Sequence, residues 1–144
     1  MAKELVTKLK AERGMTSFKI ILICGDKELV LYDAHADATM AVHIQNCESC
    51  KQYFNKEPKK TLFGLLAATL PKGAIKEVYV NEEDQDGFYT AEVVLADNSK
   101  LKAVPSVAVM FALVTSAPIY VDSTLLGPIT QKEELKTNVS PAGM

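Results

Sequence analysis

Apolar and polar positions follow two rhythms along the chain, one of period two and one near 3.6. From Phe18, the run FKIILIC, the turn residues Gly25 and Asp26, and KELVLYD form two β-branched and aromatic blocks around a tight loop. That is the pattern of a β-hairpin. In AHADATMAVHIQNCESCKQYF, Ala38, Ala41, Val42 and Ile44 recur at near-helical spacing and are small enough to let a helix lie close to a sheet. The lysine-rich NKEPKK ends this helix at Pro58, and TLFGLLAATL supplies a second, short apolar helix stopped by Pro71 and Gly73. IKEVYVN, FYTAEVVLA and KLKAV then read as a three-stranded meander. Tyr89, Ala91, Val93 and Leu95 share one face of its middle strand, and Thr90 and Glu92 the other. Pro105 suits the first turn of a helix that continues to Ser116 with apolar residues all round, so this helix must be covered on most sides. APIYV reads as a last strand and STLLG as a helical turn.

The first residues differ from the rest. Residues 2–13 mix charges with Leu5, Val6 and Leu9, which suggests a weakly amphipathic helix closed by Gly14. The expected organisation is a helical extension over residues 1–14, one α+β domain over 15–129, and a flexible polar tail over 130–144. The fold class is α+β, a mixed or antiparallel sheet built from hairpins with helices packed on it. ELVLYDAHADATMAV and SKLKAVPSVAVMFAL also share a faint plan of hairpin strand followed by small-residue helix.

Composition narrows the function classes. A chain of 144 residues, 48% hydrophobic, can bury one sizeable core. A net charge of -2 with both signs interspersed leaves no global field for a polyanion, so nucleic-acid contact would need a local basic patch. The longest apolar run, from Ala103 to Tyr120, is broken by Pro105 and Pro118 and is too short to span a bilayer. The N-terminus lacks the apolar centre of a signal peptide, and a cytoplasmic address is the expectation. Three cysteines in such a chain are expected as reduced thiols.

Four segments carry candidate chemistry. His43, Cys47 and Cys50 have zinc-like spacing, with Cys24 or His35 as a possible fourth ligand. The same Cys-x-x-Cys could be a redox pair or ordinary thiols at a helix end. Glu82, Asp84, Asp86 and Gly87 alternate like a calcium loop, but the place of the bidentate Glu is taken by Val93, and a solvated hairpin loop is the plainer reading. Lys51, Lys56, Lys59 and Lys60, with Tyr53 and Phe54 between them, form a basic aromatic segment that could contact unpaired bases or simply be a soluble connector. Ser106, just inside a helix start, could cap that helix or help hold an anion, and capping is the simpler role.

DGFYTAEVVL at 86–95, followed by VPSVAVMFAL and SAPIYV, resembles the bifunctional nuclease domain family, with its D-G-T-F-Y-A hairpin, its R-P-S-D-A helix start and its P-I-Y-V strand. The similarity runs from about Phe18 to Leu126. The resemblance implies a bifunctional-nuclease-like fold and hydrolysis of DNA and RNA, with a divalent metal possible if the protein is active; a homo-oligomer is expected because an apolar helix and exposed strand edges in a small domain often find a partner copy. Carried onto this chain, Pro105, Ser106 and Ala108 keep the family pattern. Lys102 stands where the family has Asp, Val104 where it has Arg, Val107 where it has Asp, and Val114 where it has Arg. Thr61 matches, Leu62 and Phe63 replace His and Asp, and Asp37 with Ala38 is similar to the family's E-A pair. Asp37 and Ser106 are therefore the remaining catalytic candidates. Valine can neither activate water nor stabilise charge on phosphate. A weakened or lost hydrolytic activity is implied, and the alternative is a non-catalytic binding or assembly protein with a protein partner.

Overall fold

The computed structural model describes residues 2–56 and 62–129. Its strands are β1 (Lys3–Leu5), β2 (Lys8–Arg13), β3 (Phe18–Cys24), β4 (Lys27–Tyr32), β5 (Ile75–Glu83), β6 (Tyr89–Leu95), β7 (Lys100–Ala103), β8 (Ile119–Asp122) and β9 (Gly127–Pro128). Its helices are α1 (Ala36–Asn46), α2 (Glu48–Lys56), α3 (Leu62–Thr69) and α4 (Pro105–Thr115), with a 3-10 turn at Ser123–Leu125.

The strands form two sheets. One has the order β1-β8-β5-β6-β7 and is antiparallel except where β5 and β8 run parallel; the other is antiparallel with the order β2-β3-β4-β9. The α+β class follows, with the hairpins shared between two sheets rather than gathered in one. The plan of hairpin then helix occurs twice: β3 and β4 lead into α1, and β6 and β7 lead into α4. α1 lies against β2 and β3, α4 against β5 and β6, and the two helices pack on each other. This is why both helices are rich in Ala and Val, because side chains of that size allow close approach on several sides. Ile20 and Leu22 from one sheet, Val78, Val80 and Val121 from the other, and Val42 and Val109 from the helices join in one core. Each is fully buried and contributes about 1.5–3 kcal/mol of hydrophobic stabilisation relative to exposure.

The N-terminal segment is not helical. Residues expected as a helix over 2–13 form β1, paired with β8, and β2, paired with β3. The chain crosses from one sheet to the other at Val6 and Thr7, whose amides donate to the carbonyls of Ile119 and Ile23, both at 2.8 Å. The reason is visible in KLKAER: Leu9 and Ala11 face the core while Lys8, Lys10 and Glu12 alternate with them. That is period two, and the open edge of β3 satisfies the backbone in a way no isolated helix of this length could. The charged outer positions suit an edge strand.

The helix expected to run from Ala34 through Phe54 is interrupted. Cys47 is extended, with φ -125 and ψ 110, and separates α1 from α2. The expected tail at 130–144 and the candidates Lys59 and Lys60 lie outside the described residues.

Candidate functional site

The start of α4 opens onto a cleft of ≈ 320 Å³ walled by Leu31 and Tyr32 from β4, Phe88 and Tyr89 from the start of β6, and Val104 and Pro105. Proline at the first helical position fixes the backbone where its missing N–H costs nothing, and Val104 before it provides no side-chain cap. The cleft is open and greasy: Tyr32 is 67% exposed, Phe88 65% and Val104 63%. Its polar side chains are Asp33 and Ser106.

Ser106 does not cap its own helix. It is buried, and its Oγ accepts the His35 amide at 3.0 Å, which ties the start of α1 to the start of α4. Asp33 ends β4 in the left-handed region, with φ 53, a conformation that Asp tolerates better than most residues. Sequence reasoning passed over Asp33, although an Asp directly after a strand and before a helix start is a recognisable turn signal. The aromatic walls, Tyr32 and Phe88, were passed over too, because each sits at the end of a strand where an exposed aromatic looks like any strand residue.

Asp37 does not face this cleft. It lies in the first turn of α1, its amide donates to His35 Nδ1 at 3.2 Å, and its carboxylate stands 3.8 Å from the same nitrogen. Asp37 and Ser106, the two catalytic candidates, are linked through His35 rather than directly: the carboxylate stands by its ring in a helix-start turn, and the hydroxyl accepts its amide as a backbone brace.

The signature positions divide by depth. Ala108 is fully buried and Val114 is in the core, so part of the segment is rebuilt as hydrophobic interior. Val107 is half-buried, Val104 is at the cleft rim, and Lys102 on β7 is exposed with its ammonium 3.6 Å from Glu82. Of the family's His and Asp positions, Leu62 is exposed and Phe63 half-buried. Beside the cleft, the end of β5 and the turn after it, from Glu82 to Asp86, are acidic. Asp84 Oδ1 accepts the amides of Asp86 and Phe88 at 2.9 and 3.0 Å, and Gly87 has φ 87, so the loop is a self-bonded hairpin turn as the plainer reading expected. Burial pushes the Tyr89 phenol up, with the Glu83 carboxylate and Tyr32 adding to it.

A second cluster forms at the far end of α1. His43, Cys47 and Cys50 bring one ring nitrogen and two sulfurs within 4.8 Å of one another. Hydrogen bonding to Cys50 and then Ser49 lowers the Cys47 thiol to about 7, while the neighbouring Cys47, and then burial, raise Cys50. Neither proposed fourth ligand joins them. Cys24 is buried at the end of β3 with its thiol 3.8 Å from the Glu4 carbonyl, and burial raises its pKa; His35 is at the opposite end of α1. Lys51 is half-buried in α2 beside this cluster.

Two helices packed on each other and on two sheets, a Pro-Ser helix start and a cleft bounded by a Gly-Phe-Tyr hairpin define the class of this α+β domain. The family model for the bifunctional nuclease domain matches residues 29–134, and the chain belongs to that family. The match begins inside β4, so β1 to β3 lie before it. Among curated proteins none matches the chain. No helix among the described residues is long and apolar enough to cross a membrane.

Proposed function

We propose that this chain is a bifunctional nuclease domain protein whose signature cleft binds rather than cuts, receiving an apolar side chain from a partner protein segment flanked by basic residues. One observation carries the reading: the cleft at the start of α4 is walled by Leu31, Tyr32, Phe88, Tyr89, Val104 and Pro105, and its buried hydroxyl is already engaged by a backbone amide. Phosphodiester hydrolysis needs a group to activate water and positive charge to take up the charge on phosphate. Lys102, the cation among the signature positions, faces Glu82, next to Glu83 at the end of β5 and Asp84 and Asp86 in the turn that follows. Asp33 lines the cleft and Glu83 stands beside its wall at Gly87, so a phosphate would meet negative charge there, whereas a basic segment would be drawn to it. Burying one Phe or Leu in such a cleft is worth about 1.5–3 kcal/mol, so the contact is an anchor within a larger interface.

The family match favours a second reading, hydrolysis of DNA and RNA, and one experiment separates the two. Purified protein is incubated with fluorescent single-stranded DNA and RNA in Mg²⁺, Mn²⁺ or chelator, with an Asp37→Ala control. In parallel it is titrated into fluorescein-labelled Lys-Lys-Phe-Leu-Lys-Lys and its Glu-flanked counterpart. The expected result is no cleavage above a mock preparation, binding of the Lys-flanked peptide only, and a loss on the order of tenfold for Val104→Asp. Metal-dependent cleavage that vanishes in a folded Asp37→Ala variant would restore the enzyme reading. Equal affinity for both peptides would remove the acidic-rim argument. A concentration-dependent mass in solution, abolished by Val104→Asp, would make the occupant a second copy of the chain.

A further inference from the structure

His43 lies one helical turn before Cys47, where α1 ends in an extended residue, and Cys50 lies in the first turn of α2. The Lys51 amide donates to the Cys47 carbonyl at 2.9 Å, and Asn46 Nδ2 donates to the Leu9 carbonyl at 2.8 Å. The junction is therefore held from both sides, by the turn it makes and by its anchor on β2. It brings the Cys50 sulfur to 3.4 Å from His43 Nε2, and all three donor atoms lie within 4.8 Å of one another. A tetrahedral metal bonded to sulfur at about 2.3 Å and to nitrogen at about 2.0 Å holds its ligands about 3.5–3.8 Å apart. One pair is within about 0.1 Å of that range, and the others lie no more than 4.8 Å apart, within reach of it by side-chain rotation.

We infer that His43, Cys47 and Cys50 form a binding site for a soft divalent cation of the zinc type, with the fourth coordination position left to water or an exogenous ligand. Two thiolates and a neutral imidazole balance the charge of such an ion, and this donor set selects zinc-like cations over Mg²⁺, Ca²⁺ or Mn²⁺, which prefer oxygen. Ser49 Oγ, 3.4 Å from the Cys47 sulfur, is placed to hydrogen-bond a ligating thiolate, a contact that orients the ligand and tunes its basicity. Among the described residues no fourth His, Cys, Asp or Glu joins the group, which is the arrangement of zinc sites that keep an open position. His43 is exposed and both sulfurs are half-buried, so an ion can enter from solvent. The site is separate from the cleft: α1 is 11 residues long, so its two ends lie about 16 Å apart. Its proposed role is to clamp the α1–α2 junction and to offer an open metal face there.

The test uses the full chain, reduced and stripped of metal by chelator, titrated with Co²⁺ as a spectroscopic probe and then with Zn²⁺. The expected result is one equivalent of Co²⁺ bound, with visible bands of tetrahedral intensity and thiolate-to-metal charge transfer in the near ultraviolet, both lost on adding Zn²⁺. Cys47→Ser and Cys50→Ser should each weaken binding by about 100-fold or more and reduce the charge-transfer band. His43→Gln should weaken binding while keeping that band, and Cys24→Ser should change neither. His43, Cys47 and Cys50 are at or near the surface and Cys24 is buried, so circular dichroism checks that each variant is folded. Failure of the reduced protein to take up a stoichiometric ion overturns the site, as does uptake unchanged in Cys50→Ser. A reduced protein that ignores Co²⁺ but forms a Cys47–Cys50 disulfide on mild oxidation, read by mass, makes the pair a redox couple instead. None of these readouts depends on nuclease activity or peptide binding.

Discussion

Replacing Ser106 with Ala removes a single oxygen from a side chain that is 3% exposed, and strands the His35 amide that donates to it at 3.0 Å. The perturbation is small in volume and specific in chemistry, because the hydroxyl forms a side-chain bond between the N-terminal ends of α1 and α4. A buried donor left without a partner costs about 1–3 kcal/mol, and at this partly buried place about 1–2 kcal/mol is expected. With urea slopes of about 1–3 kcal/mol per molar for a small domain, the unfolding midpoint should fall by on the order of 0.7 M with the slope unchanged. Equilibrium urea unfolding followed by far-ultraviolet circular dichroism reads this directly. Ser106→Cys, close in size but a poor acceptor, should fall between parent and Ala. A midpoint equal to the parent's refutes the bracing role. If the wild-type protein cleaves nucleic acid and Ser106→Ala loses cleavage at unchanged stability, the hydroxyl belongs to chemistry and not to the brace.

Three further outcomes follow from the same geometry. Ser116 ends α4 in the left-handed region, with φ 61, and Ser116→Gly should raise stability by about 0.5–1 kcal/mol, seen as a higher thermal midpoint; no gain means that φ is not held there in solution. The amides of Val6 and Thr7, which bridge the two sheets, should exchange with deuterium as slowly as core strands, whereas a frayed N-terminal helix would exchange within the dead time. The Asp122 carboxyl is held below its ordinary 3.8, first by the Thr124 amide and also by the Thr124 hydroxyl and Tyr79, against the opposing effect of burial. A depressed folded-state pKa contributes stability that is present above 3.8 and is lost as pH falls through the depressed value. Asp122→Asn should therefore be less stable than the parent at neutral pH, and the gap should narrow in acid below pH 3.8; a gap constant with pH would rule out ionisation as its source.

Much of the fold was legible because its elements carry their own signals. The FKIILIC hairpin has a glycine turn between two β-branched runs, the meander has β-branched and aromatic runs bounded by turn residues, and Pro105 marks the start of α4. The N-terminal strands were misread because AKELVTKLKAER is made of good helix formers, and what turned it into strand was the free edge of β3, the next strand along the chain, and that of β8, which lies near the far end of the chain. The break at Cys47 was hidden for a related reason: no Gly or Pro marks it, and the Leu9 carbonyl that anchors Asn46 comes from β2. At the site, residue types alone paired Asp37 with Ser106 as candidates, whereas the chain path puts Asp33 at the cleft and turns Asp37 toward His35.

By itself, the amino-acid sequence determined the α+β class, the hairpins, the apolar α4 and the loss of signature charge at Val104, Val107 and Val114, since period, turn chemistry and residue identity are local properties. It also placed His43, Cys47 and Cys50 at a ligand-like spacing. Only the tertiary structure decided that the two hairpin-helix units stand on separate sheets, that Val104 lines an open cleft while Val114 is core, and that Ser106 braces α1. The physical reason is that burial, strand edges and hydrogen-bond partners are set by residues tens of positions apart, and whether a side chain is free to act depends on what the rest of the chain has already bonded to it.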